Sequence, residues 1–504
     1  MSGAVRHGLA DNLPLEKLDS QRRGKYERTG IRPAAGQKEP IAMRHSLTTR
    51  IGALVTILTA CCSFASGQEC EPEWDTTVGT PGVWHPYLSW SIDALQVYDD
   101  GNGEMLYAAG GFDDFAGLPE TFNIARWDRG NNIWSSVGGG FYDGWVQAMA
   151  TFDGGSGPEL VVGGAFSGTV SGVPDTKNLA KWNGSEWSSL GTGLVGDFVG
   201  AITTWDGVVG NRLYVGGRFP TAGGVTANGI AAWDGKQWHS MGDGITGWQP
   251  YVGAMMAWDD GSGEKLYVGG RFETMDGLST PLIVRWDGET WEQVGEGLIN
   301  DQYMFGLESM AVYDDGSGPA LYVGGYQFHA PGQPVGNVSK WDGEQWTTVG
   351  PLYTGRVRSL CVFDDGNGPG LYRASSACPD LKYFARLNVA GDDWETVGGG
   401  IWKDPYSSPW PFPSTLCVWD DALYISGYFN LAGGEFPCGC IAAWGCPASE
   451  CPADINGDGT VDVLDLLEVL AAWGQSGVPA DINGDGIVDV LDLLEVLGAW
   501  GACP

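Results

Sequence analysis

Ala254-Met-Met-Ala-Trp258, Leu266-Tyr267-Val268-Gly269-Gly270, Trp286-Asp287-Gly288-Glu289-Thr290-Trp291 and the Val294-Gly295 that follows form one copy of a unit that the chain repeats. Each apolar run is too short for a helix and is bounded by turn residues, so the unit reads as four short strands. The leucine of the second run returns at Leu106, Leu160, Leu213, Leu321, Leu371 and Leu423, always 50 to 55 residues apart. A tryptophan ends the third run at Trp127, Trp182, Trp233, Trp286, Trp341 and Trp444, with Leu387 in the sixth copy. Trp-x-x-apolar-Gly closes the unit at Trp134, Trp187, Trp238, Trp291, Trp346 and Trp394, and none follows Trp444. The missing copy lies at the other end of the chain, as Trp74-Asp75-Thr76-Thr77-Val78-Gly79.

A four-stranded sheet repeated at this period is the blade of a β-propeller. The repeats predict an all-β fold over residues 68–445: a seven-bladed propeller with four strands per blade. If the strand at Trp74 completes the last blade, three strands from one end of the chain and one from the other close the ring, and no sheet edge stays free. The glycine pair followed by spaced aromatics resembles kelch and galactose-oxidase-type propeller repeats across 74–444. Packing between blades is the expected role of the tryptophans. Asp259-Asp260-Gly-Ser-Gly263 and its relatives at Asp99, Asp314 and Asp364 fall between two strands and read as hairpin turns. Cys361 and Cys417 take the strand position of Ala150, Thr203 and Ala311, as small buried packing residues.

Composition agrees with many short strands and tight turns: 81 glycines and 24 tryptophans in 504 residues, with only 18% charged. A formal charge of −35 repels phosphate backbones and anionic lipid surfaces, which argues against nucleic acid and peripheral membrane as partners. Residues 43–67 read as a signal peptide: Met43-Arg44-His45 and Arg50, the apolar run Ile51–Ala60, then Ala65-Ser66-Gly67. The run is too short to span a bilayer. Residues 1–42 differ from everything after them and read as a mis-assigned start. Leu58-Thr-Ala-Cys61, similar to a bacterial lipobox, is the rival reading; both place the protein outside the cell, secreted or at the surface. Nine cysteines then remain in a setting that permits disulfides. Cys451 and Cys503 bracket the C-terminal segment and are the expected pair, while the odd count leaves one thiol free or linked to another chain.

The C-terminal segment, 446–504, carries one loop twice, 27 residues apart. Asp454, Asn456, Asp458, Thr460, Asp462 and Asp465 occupy loop positions 1, 3, 5, 7, 9 and 12, and Asp481, Asn483, Asp485, Ile487, Asp489 and Asp492 repeat them. Glycine stands at position 6 in both, and position 7 offers its backbone carbonyl, the ligand order of a twelve-residue Ca2+ loop. Each loop runs into an apolar stretch at helical spacing, with Asp where an EF-hand has Glu. Loop, Asp at twelve, one helix, repeated: this resembles a type I dockerin. The resemblance implies two Ca2+ ions and a cohesin-like or other surface receptor. Positions 10 and 11, often small hydroxylated or alanine residues in that family, are Val463-Leu464 and Val490-Leu491, the expected partner-binding residues. From 451 onward there are ten acidic and no basic side chains, so folding is expected to depend on calcium.

Connections between successive blades are long, varied and aromatic, and function on a rigid scaffold gathers in such loops. Trp84, Tyr87, Trp90, Tyr142, Trp145, Trp248, Tyr251, Trp402 and Trp410 are candidates for a face that stacks on sugars or anchors a protein, set against simple packing of the loops onto the ring. No catalytic site is legible. Past the leader only His85, His239 and His329 remain, no Gly-x-Ser-x-Gly elbow occurs, and the repeats lack a sialidase-type Ser-x-Asp-x-Gly-x-Thr-Trp box. The expected function is a non-catalytic binding or display protein with a carbohydrate or protein ligand. A secreted carbohydrate-active enzyme, whose carboxylate pair the sequence cannot locate, and a structural surface protein are the alternatives.

Overall fold

A computed structural model of the protein describes residues 72–80, 91–115, 117–167, 170–300, 305–353, 355–403 and 410–446, and beyond them 453, 455, 460–475, 478, 480, 482–483 and 486–502. The leader readings at 1–42 and 43–67 lie outside these residues, as do Cys451 and Cys503.

The quoted unit forms a sheet of Tyr251–Asp259, Glu264–Arg271, Ile283–Trp286 and Trp291–Gln293, antiparallel and hydrogen-bonded in chain order. Among the described residues there are seven four-stranded sheets, six of them built in this way. The seventh joins Phe412–Trp419, Ala422–Tyr428 and Ile441–Gly445 to Glu73–Asp75, with Trp74 opposite Trp444. The displaced N-terminal copy thus supplies the fourth strand that the last C-terminal copy lacks.

The sheets begin with Ser91–Asp99, Trp145–Asp153, Phe198–Gly207, Tyr251–Asp259, Leu307–Asp314, Arg356–Asp364 and Phe412–Trp419. Each of these first strands packs on that of the following sheet, and Ser91–Asp99 packs on Phe412–Trp419. Second strands such as Glu264–Arg271 are buried from Leu266 through Gly270, which is why they read as unbroken apolar runs. Apolar clusters bridge neighbouring sheets; one joins Ile92 and Leu106 to Trp419, Tyr424 and Ile441.

Tryptophan ties the sheets together. The indole N–H of Trp134 donates to the carbonyl of Val78 at 2.8 Å, Trp187 to Val137 at 3.2 Å, Trp238 to Leu190 at 3.0 Å, Trp291 to Met241 at 2.8 Å and Trp346 to Val294 at 3.0 Å. Each acceptor is the apolar residue of the same motif one copy earlier. A buried indole N–H needs an acceptor, so this bond fixes where one sheet meets the next.

The Asp-Asp-Gly turns are hairpins that do more than reverse the chain. Asp259 accepts from the backbone of Gly261 at 2.8 Å and Gly263 at 2.9 Å. Asp260 turns inward and accepts from the Tyr267 hydroxyl at 2.9 Å while pairing with Arg285. Asp315 holds Tyr322 at 2.8 Å and Lys340 at 2.5 Å, Asp365 holds Tyr372 at 2.6 Å and Arg386 at 3.0 Å, and Asp100 holds Tyr107 and Arg126. Burial alone would raise the Asp260 carboxyl, but hydrogen bonds from Ser262, Tyr267 and Trp341 and the Arg285 charge outweigh it and hold it at about 2.

Three small sheets lie in the connections, for example Ile245–Thr246 with Thr274–Met275 and Leu278–Ser279. They bind the segment entering a sheet to the link between its second and third strands. Cys361 faces Tyr372 and Cys417 faces Tyr424, as Thr203 faces Tyr214 and Ala311 faces Tyr322. Both cysteines keep thiols and are only half-buried by exposed area, less covered than the small core residues expected at that position. Their surroundings still push the thiols up, to about 11 and about 12. Cys446 is disulfide-bonded.

Candidate ligand cavity and calcium module

Every first strand carries a β-bulge at the same place. The register slips at Ile92/Ala94, Val146/Ala148, Val199/Ala201, Val252/Ala254, Leu307/Ser309, Val357/Ser359 and Pro413/Thr415. The residues passed over are Asp93, Gln147, Gly200, Gly253, Glu308, Arg358 and Ser414, and all of them line one cavity of about 410 Å³. A bulge re-aims a side chain without breaking the sheet, and bulges concentrate beside functional sites. A small residue opposite the bulge accompanies it, glycine in six copies and Ser375 in the sixth; a Cβ on Gly270 would stand 2.1 Å from the carbonyl oxygen of Tyr251, beside the bulge. Flanking positions repeat closely, whereas the bulged one is in turn an acid, an amide, glycine, a base or serine. Sequence reasoning missed these residues. Their signal was variation one place before a repeated small residue such as Ala94, Ala148, Ala201 or Ala254.

Phe198, Arg218, Tyr251, Arg271, Phe305 and Arg356 also line this cavity. A neighbouring one of about 430 Å³ shares Asp93, Gln147 and Arg358 and adds Tyr142, Trp145, Asp113 and Asp143. Of the expected ligand-face residues, Tyr142, Trp145 and Tyr251 therefore line the cavities, and Tyr142 is 69% exposed. Trp248 lines a smaller recess with Ile299 and Phe305, and the Arg271 guanidinium lies 5.1 Å from its ring centre and 5.2 Å from that of Tyr251. Trp402 and Trp410 are exposed but line neither cavity; Trp402 donates to the Gly399 carbonyl at 3.0 Å beneath Lys382. Trp84, Tyr87 and Trp90 lie outside the described residues. Asp93 and Glu308 are the carboxylates that enter the first cavity.

The C-terminal segment holds two helices, α1 (Val463–Ala471) and α2 (Val490–Gly498). Asp462 and Asp489 cap them, accepting from the backbone of Leu464 at 2.7 Å and Leu491 at 2.8 Å. Asp465 and Asp492 complete capping boxes and are wholly buried. Asp465 also accepts from the Ile455 backbone at 2.8 Å, and Asp492 accepts from Ile482 at 2.8 Å and Asn483 at 3.2 Å, so each carboxylate stitches its loop to its helix. Thr460–Val461 pairs with Gly501–Ala502 after α2, and Val488 exchanges backbone bonds with Gly474 and Gln475 after α1. Each loop is thus closed by the segment that follows the other helix. Val461, Val469, Val488 and Val496 form the small core.

The helices show the opposite face to solvent. Val463, Leu464, Leu467, Leu470 and Trp473 are each about half exposed, and so are Val490, Leu491, Leu494, Leu497 and Trp500. The four partner-binding residues expected from the loops are in both ridges, the leucines of the apolar helical runs continue them, and the sequence reading missed the tryptophans. Their signal was identity between the copies at positions that helical spacing places beside Leu470 and Leu497.

Residues 452–498 match the dockerin type I domain. Such domains bind Ca2+, imply a cohesin partner, and occur in extracellular, cell-surface-anchored proteins. No curated protein matches the chain. Among solved structures, the computationally designed Ika8 protein is similar at 13% identity, with a TM-score of 0.38 over 70% of this chain and 83% of that one, which carries no argument about the fold.

The dockerin residues here fit calcium. Asp465 and Asp492 are buried carboxylates in a segment without a single lysine or arginine to offset them, and the donor set is all oxygen, as a hard cation requires. Thr460, Asp462, Asn483, Ile487 and Asp489 are described around them, while Asp454, Asn456, Asp458, Asp481 and Asp485 lie outside the described residues. Among the described residues no three His, Cys, Asp or Glu side chains gather into another metal site, and no helix is long and apolar enough to cross a membrane. A bound ion would supply the positive charge that lets the converging carboxylates share one loop.

Proposed function

We propose that the chain is an exported, non-catalytic binding protein whose seven sheets are the blades of one closed propeller. The variable end of the propeller takes a carbohydrate or protein ligand, and the dockerin domain, loaded with two Ca2+ ions, tethers it to a cohesin-like partner outside the cell. The duplicated exposed ridge carries the tethering half of this reading. Ten apolar residues, identical between the copies, stay half exposed on a segment whose own core is complete without them, and apolar surface of that kind marks a protein partner. Because the halves match, either can face the receptor after a half-turn. Replacing Val463→Asp or Val490→Asp singly is expected to leave capture by an immobilised cohesin within about twofold, and the double variant to lose it by at least about a hundredfold. Equal capture by the double variant would remove the ridge from the interface.

Closure of the propeller is supported by the packing of Ser91–Asp99 on Phe412–Trp419 and by the seven bulged residues that share one cavity. Deleting residues 68–80 removes the strand opposite Trp444 and the acceptor of Trp134; an unchanged melting temperature would contradict closure. A second reading, a secreted carbohydrate-active enzyme, is favoured by the presence of Asp93 and Glu308 in one cavity. A polysaccharide pull-down run beside a hydrolysis screen separates the two: capture without turnover supports the binding protein, and turnover lost in Glu308→Gln supports the enzyme.

A further inference from the structure

We propose that the cavity ringed by the bulged residues binds the carboxylate or sulfate group of an acidic saccharide. This rests on the reading of that end of the sheets as a ligand site and names the chemistry of its ligand. The chain has 27 basic side chains against 62 acidic ones, yet Arg218, Arg271, Arg356 and Arg358 line one cavity. They come from three different sheets, two from the ends of second strands and two from one first strand, so no single repeat position explains them.

Neighbouring groups orient these arginines. Glu308 pairs with Arg356 and lies 3.4 Å from Arg358, Arg218 lies 2.7 Å from Asp197, and Arg271 donates to the Gln249 carbonyl from Nε at 3.1 Å and from Nη2 at 2.7 Å. A guanidinium has five N–H donors in a planar fork that matches the oxygens of a carboxylate or sulfate. The Arg356 Nε is buried with no hydrogen-bond partner among the described residues. Counting Asp93, Asp197 and Glu308 against the four guanidiniums leaves one positive charge over in a molecule of net charge −35.

Two of the bulges bring backbone rather than a side chain to the cavity wall. Gly200 lies in the sheet of Arg218 and Gly253 in that of Arg271, and a Cβ on either would meet the carbonyl of the next first strand at 2.6 Å, so the close approach of the strands requires glycine there. Three rings accompany the cations: Phe198 lies 5.6 Å from Arg218, Tyr251 5.2 Å from Arg271 and Phe305 4.4 Å from Arg356. Cations that recognise an anion beside flat apolar faces suit a charged sugar better than an extended acidic peptide, which has no ring to stack. The cavity also shares its wall with the one holding Tyr142 and Trp145, so a saccharide longer than one unit can continue over exposed aromatics.

Titration calorimetry on the full exported chain in calcium, with trigalacturonic acid, a sulfated trisaccharide, maltotriose and a hexaglutamate peptide, tests this. At least one anionic saccharide is expected to bind at least about tenfold more tightly than maltotriose, as charge-assisted bonds require. Whichever of the two binds more tightly identifies the carboxylate or the sulfate as the group. Arg271→Gln should weaken that binding about tenfold, Gln147→Trp should weaken it by filling the cavity without a change of charge, and Lys236→Gln on an exposed turn should leave it unchanged. Equal binding of hexaglutamate overturns the proposal in favour of an acidic peptide. Maltotriose binding as tightly as the anionic sugars, with no effect of Arg271→Gln, overturns the anion claim and leaves a saccharide face standing. Binding by none of the three saccharides overturns both.

Discussion

Repetition has opposite meanings in the two regions of this chain. In the sheets, the residues that recur, Trp134 and its relatives, are buried, and five of them bond to the neighbouring copy, while the positions that vary line a cavity. In the dockerin domain the recurring Val463, Leu464 and Trp473 and their partners are half exposed. The difference follows from what each repeat must meet. A sheet meets another sheet of its own kind, so identity serves packing; on the proposed reading a dockerin half meets a receptor that can take either half, so identity serves the surface. A repeated aromatic therefore says nothing about burial until its neighbour is known.

The comparison can be broken most directly with a chelator. Stripping calcium is expected to unfold the dockerin helices completely, because a segment with ten acidic and no basic side chains loses the cation that offsets its charge, and to leave the sheets intact. Circular dichroism of the helical signal beside tryptophan fluorescence of the sheets would show it; a helical signal that survives in chelator would refute the calcium dependence. Next in size are the tryptophans. Trp134→Ala should cost about 3–5 kcal/mol of stability, whereas Trp473→Ala should cost no more than about 0.5 kcal/mol and instead weaken capture by a partner. Denaturant unfolding monitored in each region measures both.

Acid sharpens the contrast by acting on the turns. Asp260 is held at about 2 in the folded protein, below an unfolded value of about 3.9. Its contribution is fully present above pH about 4 and is lost as pH falls toward 2, amounting to about 2 kcal/mol. Melting curves of the parent and Asp260→Asn should converge over that window and differ at pH 7; a constant gap down to pH 2 would contradict the linkage. The smallest effect is expected at the bulges, where Gln147→Ala should change stability by no more than about 0.5 kcal/mol, since nothing in the sheet depends on that side chain. A larger loss would make the bulged position part of the core.

Much of the fold was legible because its signals are local. Leu266 to Gly270 reads as a buried strand from its run of apolar residues, and the displaced Trp74 copy betrays its pairing with Trp444 by the gap it leaves elsewhere. Trp402 and Trp410 were legible as exposed aromatics but not as residues outside the cavities, because an aromatic in a loop carries no sign of where the loop turns. The second aspartate of each turn was equally silent: Asp259 and Asp260 are adjacent and identical, yet one caps the turn and the other holds Tyr267 and Arg285.

By itself the sequence determined the number and order of the strands in the four-stranded sheets, the exchange of one strand between the chain ends, and the place of two loops with the calcium-binding pattern. All of these depend on spacing along the chain, and a strand or a twelve-residue loop is specified by its own residues. Only the tertiary structure decided that Asp93, Gln147, Glu308 and Arg358 meet in one cavity, and that Leu467 and Trp473 face outward while Val469 is buried. Those facts depend on how separate copies are set against one another, which is fixed by contacts between residues far apart in the chain.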